Sequence, residues 1–362
     1  MHENGAFVKN IYCIRPKGFN IGNDIIFLAL NHFLRNAFNE VINLISLPAT
    51  AKYESHKKAG ITGQTVHEIN QYGHGLVIGG GNLYENGELE VTEPALKALE
   101  VPLMLFSLSR GKIYNRKHEL VDRTDVMSDS KIVMINKRAN VSLTRDHATQ
   151  AHLDALGCTS VCAGCPTLYY DEMPIHQIHI PDEHRFDALI SVRNPALMSI
   201  PVDLQFRVRE DILELIRILK EKGYSRIRFL CHDHRDIPFA ASFREIEYLY
   251  TEDVYAYLTF LRISRLNVTY RLHSFLPSLA FGVPAIKISY DQRALSVIES
   301  IGMQEWNIDL VKDDLFQEVN HRIANLNHYR NLIEKCRTGT WKKLKIELEA
   351  GVEKFAQAVL AS

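Results

Sequence analysis

The sequence predicts an α/β fold of two Rossmann-like, doubly wound domains that face each other across a cleft. Short apolar, β-branched runs alternate with amphipathic stretches of helical period, which is typical of parallel sheets covered by helices. The alternation stops over residues 171–186, a stretch with two prolines and three histidines, and then starts again. We therefore predict an N-terminal α/β domain over residues 1–175, a C-terminal α/β domain over 186–335, and a C-terminal helix over 336–362 that packs back on the first domain.

The composition limits the classes of partner. The chain has 362 residues, and its 42 Lys and Arg against 43 Asp and Glu give a formal net charge of −1. Proteins that bind nucleic acid or anionic lipid over a wide surface carry a large basic excess, so we predict no nucleic-acid partner. The apolar run Ile25–Leu30 is far shorter than the ~20 residues that span a bilayer, and the first residues show no signal peptide. We expect a cytoplasmic protein, in solution or at the inner face of the membrane.

In the first half, five short apolar runs have the length of buried strands. They are Asn10–Ile14, Val41–Leu47, Gly75–Gly79, Leu103–Leu108 and Val141–Leu143. Asp24–Phe38 repeats apolar residues at helical spacing, and we predict a helix there with Asp24 as its N-cap. Arg145–Leu156 is predicted to be the helix that follows the fifth strand.

The second half repeats the pattern. Its predicted strands are Ala188–Val192, Arg226–Cys231, Glu245–Leu249, Leu266–Tyr270 and Ala285–Ser289. Val202–Glu221 is predicted to be a long amphipathic helix, and Ser274–Phe281 a shorter one that ends before Gly282. Residues from about Lys312 onward are predicted to be helical. Two such halves facing each other form the GT-B architecture.

Ligands of open parallel sheets lie beyond the carboxyl ends of the strands, so the loops after the strands are candidate sites. One such loop, with Asn20, Gly22 and Asn23, precedes the first helix, where backbone N–H groups are free. A second loop, with Gly80, Gly81 and Asn82, is a glycine run that lets a ligand approach the backbone. The alternatives are a plain strand–helix turn and close packing of two elements. The candidate acceptor and backbone-loop residues are Asn20, Gly22, Asn23, Gly80, Gly81 and Asn82.

Two arginines also leave predicted strand ends, one in each half. Arg145 follows the fifth strand, and Arg193 follows the first strand of the second half. The planar guanidinium suits a carboxylate or phosphate through two hydrogen bonds, so both are candidate anion-binding residues. The alternative for either arginine is a salt bridge to a neighbouring acid.

The most specific pattern lies near the end of the second half. It consists of Arg271–Ser274, then Gly282–Pro284, then Tyr290–Arg293. Arg271 and His273 fall where a strand ends and a helix begins, and a helix N-terminus favours anions. Arg293 follows the next strand, so two cations and a titratable histidine are expected to converge. We expect the acids that balance these arginines to be spread through the helices.

Three of the six cysteines, Cys158, Cys162 and Cys165, stand close together. One interpretation is a zinc or Fe–S site with a fourth ligand from His152 or from the histidines of 171–186. The other is buried, reduced thiols. We predict no metal, because no second CxxC or HxxxH element accompanies the cluster.

With these motifs in place, the sequence resembles the polysaccharide pyruvyl transferases, from about Asn20 to Arg293. The segments that carry the resemblance are Asn20–Asp24, Val77–Asn82, Ser142–Asp146 and Gly164–Leu168, and above all Arg271–His273 with Gly282–Pro284 and Tyr290. The resemblance implies a GT-B-like transferase that moves the pyruvyl group of phosphoenolpyruvate onto a hydroxyl pair of a cell-surface or exopolysaccharide sugar, forming a ketal. The resemblance implies no cofactor, since phosphoenolpyruvate is a co-substrate. It also places Cys165 in a family motif that needs no metal.

The resemblance also implies residue roles. Arg271 and His273 would hold and protonate the donor, and Arg145 would hold its phosphate or carboxylate. From the residues themselves, Asp24 is a candidate to orient or activate the acceptor hydroxyl. The candidate donor-binding residues are Arg145, Arg193, Arg271, Arg293 and Ser274. The implied acceptor is a sugar or a lipid-linked oligosaccharide, with peripheral association to membrane-bound glycan machinery. The chain departs from the family twice: it has Gly22-Asn23-Asp24 where Gly-Asp is frequent, and Arg293 where Lys is frequent.

Two other functions are compatible with the same fold. One is a glycosyltransferase that uses a nucleotide sugar, in which an acid of the loop His232–Asp236 would hold the ribose. The other is a non-catalytic glycan-binding protein, which would bind a glycan without releasing phosphate.

Overall fold

Two six-stranded parallel sheets organise the chain in this computed structural model, which describes residues 8–52, 58–85 and 87–362. The first sheet has the order β2-β1-β3-β4-β7-β8. Its central strands are buried on both faces, which explains their continuous apolar runs. The strands of this half, including the separate hairpin β5–β6, are β1 Lys9–Arg15, β2 Ile42–Pro48, β3 Gly75–Gly81, β4 Leu103–Leu108, β5 Ile113–Tyr114, β6 Leu120–Val121, β7 Val141–Thr144 and β8 Val161–Cys162.

Helices connect the strands of the first sheet, as parallel pairing requires. They are α1 Ile21–Ala37, α2 Gly63–Tyr72, α3 Glu93–Ala98, α4 Asp129–Arg138 and α5 His147–Ala155. The prediction that Asp24 caps the first helix is wrong. The N-cap is Asn20, whose Oδ1 accepts a hydrogen bond from the Gly22 N–H at 3.0 Å. Asp24 lies in the first turn and accepts from Arg15 at 2.7 Å, so an ion pair holds its carboxylate.

The second sheet has the order β11-β10-β9-β12-β13-β14 and is also parallel throughout. The predicted strand over Glu245–Leu249 is shorter in the structure. The strands are β9 Ala188–Val192, β10 Ile227–Cys231, β11 Tyr248–Leu249, β12 Leu266–Thr269, β13 Ala285–Ser289 and β14 Asn307–Asp309. The helices are α6 Val202–Glu221, α7 Ile237–Ala241, α8 Val254–Ile263, α9 Leu272–Ala280, α10 Gln292–Ser300, α11 Leu315–Ala324, α12 Leu326–Cys336 and α13 Lys342–Ala361.

The last helix, α13, returns to the first sheet. A Cβ on Gly351 would lie 2.7 Å from Leu143, and one on Gly75 would lie 2.7 Å from Val359, so the helix and the strands are in close contact. Trp341, just before α13, donates from Nε1 to the Ile301 carbonyl at 2.8 Å. The C-terminal helix therefore links the second half of the chain to the first. Among the described helices, none is both long and apolar enough to cross a bilayer.

Candidate active site

A cavity of about 370 Å³ lies between the carboxyl ends of the two sheets. The first half lines it with the loop after β1 and with Gly81–Asn82, and the second half lines it with Arg271–His273 and Tyr290–Arg293. Hydrogen bonds cross between the halves beside it: the Gln292 N–H donates to the Lys112 carbonyl at 3.0 Å, and the Ile21 N–H donates to the His232 carbonyl at 3.2 Å. Both halves therefore supply the walls of one site.

Arg145 is a buried guanidinium from the first half that lines the cavity. It follows β7, as predicted, and is 3% exposed. Nη2 donates to Ser109 Oγ at 2.5 Å, and Nε has no hydrogen-bond partner in the described chain. No carboxylate of the described residues lies within 4.0 Å of it. Burying a charge without a partner is costly, so a residue in this state is suited to receive an anion.

Arg271 supplies a second buried guanidinium, from the other half. It is the N-cap of α9 and is 7% exposed. Its Nη2 lies 3.7 Å from Asp236 Oδ2, too far for a hydrogen bond, and neither atom has a hydrogen-bond partner among the described residues. Arg271 therefore also retains hydrogen-bonding capacity for a ligand at the cavity.

His273 lies near both guanidinium groups, in the first turn of α9. Burial, with smaller contributions from Arg145 and then Arg271, lowers the pKa of its imidazole well below the usual 6.5. Without a ligand the ring is therefore neutral at neutral pH. An anion bound at the arginines opposes both of their contributions and raises this pKa, so the protonation of His273 is linked to anion binding.

His232 is a second buried histidine beside His273. Its Nδ1 lies 2.6 Å from Tyr257 Oη, and it follows β10 at a strand end. Burial, followed by the charges of Arg271, His273 and Arg193, lowers its pKa well below 6.5. The sequence analysis considered His232 only for a nucleotide-sugar site. The rule that useful residues follow strand ends was sufficient to find it.

The other two predicted arginines are ion-paired within the site. Arg293 lies 3.1 Å from Glu85 and 2.5 Å from Asp291. Arg193 lies 3.4 Å from Asp236 and 3.7 Å from Asp233. The acids that pair with these two arginines are buried beside the site, and Asp291 itself lines the cavity. The expectation that the balancing acids are spread through the helices is therefore wrong for Arg193 and Arg293. Both arginines therefore have carboxylate partners before any ligand binds.

The acids of the loop 232–236 are engaged inside the protein. Asp233 is fully buried, and its carboxylate accepts hydrogen bonds from the Arg235 side chain and backbone. These contacts, above all the Arg235 hydrogen bonds, lower its pKa to about 2 against the effect of burial. Asp236 is also fully buried and accepts from the Asn194 N–H at 3.0 Å. This arrangement does not present either carboxylate to a ribose.

Comparison with known proteins identifies the family. The model of the family "Polysaccharide pyruvyl transferase" matches residues 20–292. The chain belongs to the polysaccharide pyruvyl transferase family. No curated protein sequence matches it significantly.

Solved structures show that this family member has a GT-B-like fold. The S. aureus MnaA–UDP co-structure has a TM-score of 0.56 at 13% identity, over 90% of this chain and 91% of that one. UDP-N-acetylglucosamine 2-epimerase from Rickettsia bellii has a TM-score of 0.54 at 13% identity, over 98% and 96%. UDP-GlcNAc 2-epimerase from Methanocaldococcus jannaschii has a TM-score of 0.52 at 13% identity, over 87% and 92%. The predicted two-domain fold is therefore confirmed.

The remaining candidate residues of the transferase have different surroundings. Asn20, Asn23, Gly81 and Asn82 line the cavity. Four others, of which Gly22 is described below, lie outside the lining. Asp24 is paired with Arg15, Gly80 packs against Ile26 of α1, and Ser274 is fully buried in a hydrogen-bonded cluster with Ser191 and Asn267. The alternative of close packing therefore describes Gly80, whereas Gly81 is open to the cavity.

The cysteines are all buried and unpaired by disulfides in the structure. Cys165 Sγ lies 3.2 Å from Thr167 Oγ1 and 3.9 Å from His273 Nε2, behind the histidine. Within residues 8–52, 58–85 and 87–362, no group of three or more His, Cys, Asp or Glu side chains is arranged to hold a metal ion.

Gly22 touches the site without lining the cavity. A Cβ at this position would lie 2.7 Å from both His232 Nε2 and His273 Nδ1. Gly22→Ala is therefore expected to displace an imidazole and lower the transferase kcat by about 10²-fold, the cost of misplacing a reacting group. Gly63→Ala is the matched control, since Gly63 also lies in the first turn of a helix but has open space around it. Equal rates in the two variants would contradict the close approach described here.

Proposed function

We propose that the chain transfers the pyruvyl group of phosphoenolpyruvate to two hydroxyls of a glycan sugar and releases phosphate. One observation carries the proposal: Arg145 and Arg271, one from each half, are both buried, and each has an N–H without a hydrogen-bond partner in the described chain, although Arg271 lies 3.7 Å from Asp236. His273 lies between these charges and responds to both of them. Membership of the polysaccharide pyruvyl transferase family supports this interpretation.

The donor's chemistry fits two guanidinium groups. Phosphoenolpyruvate carries a phosphate and a carboxylate on one carbon, and each group accepts two parallel hydrogen bonds from an arginine. The N-terminus of α9, which begins at Leu272 after the N-cap Arg271, adds a favourable dipole for an anion. Arg193 and Arg293 contribute less, because buried carboxylates already pair with them.

In the proposed reaction, His273 is the general acid. Donor binding raises its pKa, and the protonated ring delivers a proton to the methylene carbon, which makes the central carbon electrophilic. A sugar hydroxyl then forms a C–O bond to the central carbon, and its proton passes to the imidazole. Phosphate leaves with its bonding electron pair, a second hydroxyl closes the ketal, and phosphate takes the last proton. The methylene thus becomes the methyl group of the ketal.

The acceptor lies, in this proposal, on the first-half side of the cavity. Asn23 and Asn82 line that side, and their amides are able to hydrogen-bond sugar hydroxyls. We assign Asp24 no part in activating the acceptor, because Arg15 holds its carboxylate and the residue lies outside the cavity lining. A sugar attached to a lipid carrier at the membrane would fit the same role.

A ligand screen tests the proposal. Phosphoenolpyruvate is expected to raise the unfolding midpoint of the purified protein, whereas UDP-GlcNAc is expected to leave it unchanged, because only a ligand of the folded state stabilises it. Phosphate release with a panel of glycans, followed by mass spectrometry for a pyruvate-sized addition, then tests turnover. Stabilisation by the nucleotide sugar alone would indicate a glycosyltransferase. Glycan binding without phosphate release would indicate a binding protein.

A further inference from the structure

A lysine is fully buried at the floor of the cavity. Lys287 lies on β13 and is 1% exposed, yet it lines the same cavity as Arg271 and His273. Burial of a lysine is energetically costly, because the ammonium loses its hydration. Lys287 was not predicted as a site residue, because it stands inside a strand and not after one. The sequence signal that could have found it is a charged residue in an otherwise apolar strand.

The contacts of Lys287 leave part of its ammonium group unused. Nζ donates to the carbonyl oxygens of Ile288 at 2.5 Å and of Tyr270 at 3.3 Å. No carboxylate within the described ranges lies within 4.0 Å of it. An ammonium has three N–H donors, so one has no partner in the part of the chain that the structure describes.

The charges that face Lys287 come from both neighbouring elements. Asp291 favours its charged form, whereas Arg271 opposes it, and the ring of Tyr290 lies 5.6 Å from Nζ. Burial is the largest influence and lowers the pKa of the ammonium to about 7. An anion at Arg271 would favour the charged form, because it screens the repulsion between the two cations.

A purely structural role explains Lys287 poorly. Its two carbonyl contacts join β12 to β13, but these strands are already paired in parallel register from Asn267↔Ala285 to Thr269↔Lys287. An apolar side chain of similar length would fill the space without the cost of a buried charge.

We propose that Lys287 is an anion-binding residue of the donor site, which holds one acidic group of the donor together with Arg271. The proposal rests on the proposed function only in naming phosphoenolpyruvate as the donor. In it, the ammonium donates its free N–H to a phosphate or carboxylate oxygen, and donor binding brings a proton to Lys287.

The test is calorimetric titration of phosphoenolpyruvate into the unmodified protein, Lys287→Met and Arg322→Met. Lys287→Met is expected to weaken donor binding by about 10- to 100-fold, the value of one hydrogen bond between charged groups. Arg322 is the matched control, because it is a buried cation of the same half that lies outside the cavity and donates to the Asn307 carbonyl at 2.6 Å. Its variant is expected to bind the donor as the unmodified protein does.

Two further measurements keep the outcomes distinct. Titrations in buffers of different ionisation enthalpy measure how many protons the protein takes up when one donor molecule binds. Lys287→Met is expected to take up fewer protons than the unmodified protein. Inorganic phosphate, titrated in the same way, tells which group Lys287 holds: a loss equal to that for phosphoenolpyruvate places the phosphate at Lys287, and an unchanged affinity places the carboxylate there. If the unmodified protein fails to bind phosphoenolpyruvate, the proposed function is overturned. If it binds and a folded Lys287→Met binds equally well, the assignment of Lys287 is overturned.

Discussion

Arg145→Met is expected to remove most of the donor affinity while leaving the protein at least as stable as before. The guanidinium is 3% exposed and donates to Ser109 Oγ, and no carboxylate of the described residues lies within 4.0 Å of it, although its charge acts on the buried Asp146 at a greater distance. Replacing a buried charge that has no ion-pair partner at this distance by an apolar side chain is neutral or stabilising. A hydrogen bond to a charged group contributes about 1.5–3 kcal/mol, so loss of a contact made of two such bonds weakens phosphoenolpyruvate binding by about 10²- to 10⁴-fold.

The measurement pairs calorimetric titration of phosphoenolpyruvate with denaturant unfolding. Arg138→Met is the control, because Arg138 is a half-buried arginine of the same half that donates to the carbonyls of Leu99 and Val101 at 2.6 and 2.9 Å, outside the cavity. It is expected to leave donor affinity unchanged. The anion-binding assignment of Arg145 would be refuted by a stable Arg145→Met protein that binds the donor normally.

His273→Ala is expected to lower phosphate release by about 10²-fold or more, the contribution of a positioned general acid. His273→Asn keeps a polar side chain without an acid and is expected to lose as much. His32→Ala is the control, since His32 is half-buried in α1 and lies outside the cavity lining, with its ring in contact with Asn36. Full turnover by His273→Ala would remove this residue from the chemistry.

The pH dependence follows from the direction of the pKa shifts. Burial, Arg145 and Arg271 hold the pKa of His273 below 6.5 in the unliganded protein, and His232 is shifted in the same direction. The unfolded chain therefore binds more protons than the folded one below about pH 6.5, so the free energy of unfolding falls as the pH falls through that value. The measurement is thermal unfolding between pH 7.5 and 5, a range that brackets the usual histidine pKa. Over this range, His273→Asn is expected to lose less stability than the unmodified protein.

Donor binding is expected to shift the pKa of His273 in the opposite direction and to make turnover depend on pH. Bound phosphate and carboxylate raise its pKa, so kcat at saturating phosphoenolpyruvate falls as the pH rises above the pKa of the complex. Arg145→Met is also expected to raise the pKa of His273 in the unliganded protein, because Arg145 is the largest of the charges that lower it. Histidine titration by NMR would show this, and an unchanged value would contradict the proximity of the two groups.

Much of the fold was predictable because it depends on local pattern. Four of the six strands of the second half were predicted within one residue of where the structure has them, since buried parallel strands are continuous apolar runs between turns. The short strand β14, Asn307–Asp309, was not predicted. The start of α1 was not predictable in the same way. Asn20 and Asp24 are both good capping residues, and in the structure Asn20 caps the helix while Arg15 of β1 holds the Asp24 carboxylate.

The sequence by itself determined the two-sheet architecture and the position of Arg145, Arg193, Arg271 and His273 at strand ends. Only the tertiary structure decided what each group does. It pairs Arg193 and Arg293 with buried carboxylates, leaves Arg145 with no carboxylate of the described residues within 4.0 Å, and buries Lys287 at the cavity floor. The physical reason is that hydrophobic periodicity is written along the chain, whereas the pKa and pairing of a charge depend on burial and on neighbours that are distant in sequence.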